Sequence, residues 1–122
     1  MLRQFYGNEV TTFPSGLQPD DGHKWIIRRI YLELSAGATT GTRSVNISLD
    51  TYNGGFSKTL LSMSQTGVST NYFLSLSGDA GADQIIYSDI PIDSNTVIKA
   101  ALTLLSGDTI SWNILVDEVP DE

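Results

Sequence analysis

Between Lys24 and Val119 apolar side chains recur at every second position in short runs, and Gly, Asn, Asp and Ser separate the runs. Alternation of this period places successive side chains on opposite faces of a strand, so the chain predicts half-buried β-strands joined by turns. In the first strong strand, 25–35, Ile26, Ile30, Leu32 and Leu34 are expected on one face, with Trp25, Ile27, Arg29, Tyr31 and Glu33 on the other. Arg28 interrupts the apolar face and marks either an edge-proximal end or a bulge. The run 43–51 alternates with Val45, Ile47 and Leu49 inward and Asn46, Ser48 and Asp50 outward. Tyr52-Asn53-Gly54-Gly55-Phe56 then offers residues that tolerate a tight hairpin turn.

Further strands are predicted at 58–64, 71–77 and 84–89, and the loops 36–42, 65–69 and 78–83 are rich in small and turn-forming residues. Pro91 has no backbone donor and marks a strand edge or end. Ile98, Ala100, Leu102 and Leu104 form one stripe, Ser106-Gly107-Asp108 a turn, and Ile110, Trp112, Ile114 and Val116 a second stripe, which together read as a closing hairpin. Residues 95–105 also admit a short buried helix, because Ala, Leu and Lys favour helix while Val, Ile and Thr favour strand; the turn that follows favours strand. The expected fold is all-β, an antiparallel two-sheet sandwich, jelly-roll-like, with about eight strands.

Residues 1–21 behave differently. Leu2, Phe5, Tyr6, Val10, Phe13 and Leu17 follow no helical or strand period, and Gly7, Pro14, Gly16 and Pro19 interrupt any regular element. Such a segment cannot form a core of its own, so it is expected to be an extended arm docking on a neighbouring subunit or larger particle. The alternative is an edge strand at 4–12. Residues 22–119 are then the sandwich domain, and 120–122 close an acidic tail, starting at Asp117, that is expected to fray.

Seven basic residues against fourteen acidic ones give a net charge of −7, and beyond Ser62 the only basic residue is Lys99. That surface repels phosphate backbones, so neither nucleic acid nor an anionic membrane is an expected partner. No apolar run is long enough for a membrane helix, and the first residues have no apolar leader, so folding in the cytoplasm is expected. The chain has no cysteine, which excludes disulfides and thiolate metal sites. The sequon Asn46-Ile47-Ser48 falls inside a predicted strand and is read as chance.

His23 is the only histidine, and without a G-x-S-x-G elbow a Ser-His-Asp arrangement is not indicated. Asp79 and Asp83, or Asp20-Asp21-Gly22, offer oxygens to a calcium ion, but neither has EF-hand spacing and both suit ordinary turns. No cofactor, metal or catalytic residue is therefore expected. Among the aromatics, Trp112 is in phase with Ile110 and Ile114 and belongs to the core. The face of Trp25, Ile27, Arg29 and Tyr31 is too apolar to be left wet, so it is expected at a subunit contact or under the second sheet, and a sugar-stacking platform is the competing use.

Gly22-His23-Lys24-Trp25-Ile26-Ile27-Arg28-Arg29-Ile30-Tyr31-Leu32-Glu33-Leu34, the loop with Gly41, and Arg43-Ser44-Val45-Asn46-Ile47-Ser48-Leu49-Asp50 resemble small β-sandwich virion proteins of tailed bacteriophages. The ending Leu104-Leu105-Ser106-Gly107-Asp108-Thr109-Ile110 is similar to theirs as well. The resemblance spans roughly 22–116. It implies a non-enzymatic structural protein, above all a capsid decoration or cement protein, located in the virion after synthesis in the host cytoplasm. A homotrimer bound to the major capsid protein or another virion protein is the expected assembly. Phe5, Tyr6, Phe13, Trp25, Ile27, Arg29 and Tyr31 are the candidate interface residues. The alternatives are a carbohydrate-binding module or the receptor-binding head of a fibre or tail, and, more remotely, a small hydrolase.

Overall fold

The computed structural model describes residues 1–51, 55–76 and 89–120. They form eight strands: β1 (Leu2–Val10), β2 (His23–Ser35), β3 (Arg43–Thr51), β4 (Ser57–Gln65), β5 (Asn71–Leu76), β6 (Ile90–Asp93), β7 (Thr96–Thr103) and β8 (Thr109–Pro120). One sheet runs β1-β8-β2-β5, with β6 also on β2; the other runs β4-β3-β7. Every pairing is antiparallel.

The chain alternates between these layers. β1 lies in the larger sheet, and Leu17 then crosses to the smaller one, where it makes an isolated bridge to Ile98 of β7. β2 returns, β3 and β4 form a hairpin in the smaller sheet, β5 and β6 return, β7 crosses, and β8 slots between β1 and β2. This wrapping is the double Greek key of a jelly roll, with the strand expected between β1 and β2 reduced to the single Leu17 bridge. The predicted fold class is thus the observed one, and residues 96–103 are strand rather than helix.

β2 is the central element, and its faces differ from the expectation. The pairing with β8 shifts register between Ile27 and Arg29, so Arg28 is a bulge and the inward phase changes there. Trp25 and Ile27 before it, and Ile30, Leu32 and Leu34 after it, all point into the core, while Ile26 is only half-buried. Trp25 and Ile27 therefore do not share a face with Arg29 and Tyr31. The bulge lies where β2 changes partner from β6 to β5, and Arg28 ties the strand ends there through ion pairs to Asp89 and Asp117. Against β2 pack Val45, Ile47, Leu61 and Ile98 from the smaller sheet and Ile110, Ile114 and Val116 from β8.

β7 and β8 are not a hairpin: the turn at Ser106-Gly107-Asp108 carries the chain from one sheet to the other. The reason lies in Asp108, which is buried and accepts hydrogen bonds from the amides of Gly37 (2.8 Å) and Leu105 (2.8 Å) and from Arg43 Nε (2.8 Å). The Arg43 guanidinium, fully enclosed, also donates to the carbonyls of Gly67, Gly37 and Thr39. Three inter-sheet loops are thereby fastened at one end of the sandwich. Gly37 and Gly107 meet backbone to backbone, where a Cβ on Gly37 would come within 2.9 Å of the Gly107 carbonyl carbon.

The N-terminal segment is the edge strand of the two alternatives, beginning at Leu2 rather than at residue 4. The acidic C-terminal residues 117–120 belong to β8 instead of fraying: Glu118 accepts from Trp25 Nε1 (2.9 Å) and Arg3 (2.6 Å). The turn at 52–54, the loop 78–83 with Asp79 and Asp83, and the strand expected at 84–89 up to residue 88 lie outside the described residues.

Candidate functional site

The candidate site is the outer face of the five-stranded sheet. Since β1, β8 and β2 pair in fixed register, Tyr6, Asn113 and Tyr31 form one row across three strands. Gln4, Leu115 and Arg29 form the row on one side, and Ser111, Glu33 and Phe73 the row on the other. Tyr6 is 71% and Phe73 59% exposed. The Tyr31 and Phe73 rings lie 6.2 Å apart. Partial burial, and then the negative charge of Glu33, push the Tyr31 phenol above its ordinary value, so it is neutral and a hydrogen-bond donor at physiological pH.

Between the two tyrosines the sheet carries a shallow groove of about 520 Å³, lined by Gln4, Tyr6, Asn8, Tyr31, Ser111 and Asn113, with Gly7 and Trp112 beneath. None of these side chains is charged at neutral pH. The polar groups are held in place: Arg29 donates to Asn113 Oδ1 (2.8 Å), while Ser111 Oγ accepts from the Glu9 amide (3.0 Å) and donates to Asn8 Oδ1 (3.1 Å). With its oxygen occupied, each amide leaves its NH₂ as the group available to a ligand.

A second cleft of about 560 Å³ lies on the other side of β1, where Phe5, Val10, Thr12, Pro14 and Leu17 line it. Both hollows share Gln4, Tyr6, Gly7 and Trp112 and so adjoin over Gly7. Gly7 is the register partner of Trp112, and the indole occupies the space its side chain would need. A Cβ there would lie 3.0 Å from Trp112 Cε2 and closer still to Nε1. Trp112 is 7% exposed, and its Nε1 is buried without a hydrogen-bond partner.

The seven candidate interface residues divide into two groups. Tyr6, Arg29 and Tyr31 lie on the outer face. Phe5, Phe13, Trp25 and Ile27 turn inward: Phe5 stacks on Trp25 (5.0 Å between centroids), Phe13 on Trp112 (4.7 Å), and Trp25 and Ile27 are core. An inward side chain cannot reach a partner without unfolding its own sandwich, and the Arg28 bulge is what sorts Trp25 and Ile27 from Arg29 and Tyr31. Gln4, Asn8, Ser111 and Asn113 were not foreseen as site residues. Their outward phase is readable in the alternation of β8, whereas their meeting with Tyr6 depends on a pairing of β1 with β8 more than a hundred residues along the chain.

His23 opens β2 and contacts the Asp21 carbonyl at 3.4 Å. Among the described residues no three His, Cys, Asp or Glu side chains gather as they would around a metal, and no helix is long and apolar enough to cross a membrane. No protein-family model, no curated protein and no solved structure matches the chain.

Proposed function

We propose that the protein is a non-enzymatic structural component of a virion, a decoration or cement protein that works by attachment through the outer face of its five-stranded sheet and assembles as a homotrimer. The observation that carries the reading is the composition of that face. Tyr6, Tyr31 and Phe73 stand on a hydrogen-bonded sheet among amides, a hydroxyl and the two charged groups Arg29 and Glu33, and exposed aromatics of this kind mark contact surfaces. Neither of these two hollows has a carboxylate, imidazole or amine in its lining, groups that general acid–base chemistry commonly employs. The motif residues that resemble phage virion proteins serve the scaffold: Asp108 of the final turn and Arg43 at the start of β3 are consumed in holding loops together.

The groove between Tyr6 and Tyr31 also favours a second reading, the receptor-binding head of a fibre or tail. Mass spectrometry of purified particles from the source tests the virion assignment. The chain is expected there at a fixed ratio to the major structural protein, and its absence from particles would overturn the assignment. Native mass of the isolated protein is expected to show a trimer.

A further inference from the structure

We infer that the groove between Tyr6 and Tyr31 is a binding site for a neutral oligosaccharide. The inference rests on reading the outer sheet face as the working surface, and it goes further in naming the ligand. Two tyrosines stand at either side of a floor whose polar side chains are three amides and a hydroxyl. Adjacent strands are ~4.8 Å apart, so side chains two strands apart, as on β1 and β2, start ~9.6 Å from each other. A sugar ring in van der Waals contact with an aromatic ring on each side needs about 7–8 Å between those rings, at about 3.5–4 Å per contact. The span from β1 across β8 to β2 is thus wide enough to admit one pyranose ring between Tyr6 and Tyr31.

The floor matches the edge of such a ring. The NH₂ groups of Asn8 and Asn113 are donors held by partners on their oxygens, and the carboxamide of Gln4 and the two phenols add both donors and acceptors. A sugar hydroxyl both donates and accepts, as this set requires. Charge decides between classes of glycan. The lining has no cation to pair with a sulfate, sialate or uronate, the neighbouring Arg29 is bonded to Asn113 Oδ1, and the chain's net charge of −7 repels such groups. The Trp112 indole, with its N–H buried and unpaired, lies directly beneath Gly7 on the inner side of the same sheet, close enough to report on the backbone under the groove.

The test is a screen of the purified protein against neutral and acidic oligosaccharides and a proline-rich peptide. It is followed by titration with the best neutral glycan, watching the two tryptophan indole N–H resonances. Binding of a neutral glycan is expected, with the Trp112 signal moving and the Trp25 signal, bonded to Glu118, staying still. Tyr31→Ala and Asn113→Ala are each expected to weaken binding at least about ten-fold, the loss of one stacking or hydrogen-bonding contact. Phe56→Ala, exposed and outside the groove, leaves binding unchanged. Both groove variants must retain the thermal transition of the parent, and Tyr31→Phe, which keeps the ring, restores most of the affinity lost in Tyr31→Ala. Binding of acidic glycans only, of the peptide only, or of no ligand overturns the inference, as does neutral-glycan binding that ignores the groove variants. Glycan binding by a protein absent from particles would leave the inference standing and the virion assignment overturned; a particle protein blind to glycans would do the reverse.

Discussion

Gly7 shapes both hollows by what it lacks. The Trp112 indole fills the place of its side chain, a cross-strand pairing in which an aromatic ring covers a glycine. Gly7→Val forces the indole aside and is expected to cost about 1–3 kcal/mol in urea unfolding, as overpacking does, with altered tryptophan fluorescence. The Arg43–Asp108 pair carries more. Both groups are out of water, at 2.8 Å, and Arg43→Ala leaves Asp108 buried without its counter-charge, a loss of about 3–5 kcal/mol. Burial alone would raise the Asp108 carboxyl, but the amides of Gly37 and Leu105 and the Arg43 charge outweigh it and hold it below the ordinary range. A carboxyl depressed in the folded chain contributes fully above its unfolded value of about 3.9, and that contribution is lost as pH falls through the lower folded value. The urea midpoint is therefore expected to drop from pH 5 towards pH 2. Asp50, Asp117 and Glu118 are depressed too, so Asp108→Asn should lessen the slope without abolishing it.

At the scale of elements, the bulge in β2 accounts for the largest difference between sequence and structure. Strict alternation puts Trp25 and Ile27 opposite Ile30, Leu32 and Leu34; one extra residue, Arg28, brings all five inward. The arginine was visible as an interruption, but whether it ended a strand or bulged it depended on β8, whose register alternation alone does not contain. The same limit explains β7 and β8. Their stripes and turn were legible, whereas their separation into two sheets follows from the burial of Asp108, a residue that resembles any turn aspartate until Arg43 is brought to it. Strands β2 to β5, β7 and β8, the inward phase of Trp112 and the edge position of Pro91 needed only local pattern and for that reason were legible, whereas β1 and β6 carry no clear alternation of their own. Deleting Arg28 tests the bulge. With strict alternation restored, either Trp25 and Ile27 or the later trio must leave the core; two side chains at about 1.5–3 kcal/mol each give a loss of about 3–6 kcal/mol. Arg28→Ala, which keeps the extra residue and removes only exposed ion pairs, is expected to cost less than about 1 kcal/mol. Equal losses in the two variants would show that the bulge does not set the phase.

For the whole molecule the decisive segment is 1–21, which is both the edge of the larger sheet and one wall of the groove. Phe5 covers Trp25, Phe13 covers Trp112, and Leu17 bridges to Ile98 across the opening where a jelly roll has a full strand. Phe5, Val10, Phe13 and Leu17 at about 1.5–3 kcal/mol each bury roughly 6–12 kcal/mol at most, and domains of this size are stable by only about 5–15 kcal/mol. A segment whose burial is comparable to the total stability cannot be a detachable arm. Removing 1–21 would strip both tryptophans of their aromatic covers and expose β8 as a new edge along Ile110 to Asp117, its former pairing with β1. The truncated chain is therefore expected to aggregate or to lose its cooperative thermal transition, with tryptophan emission shifted to the red. A truncated protein that melts within a few degrees of the parent would show instead that the sandwich is complete from β2 onward. The groove would then have a wall added to an already stable fold, and Tyr6 would belong to an appendage rather than to the core sheet.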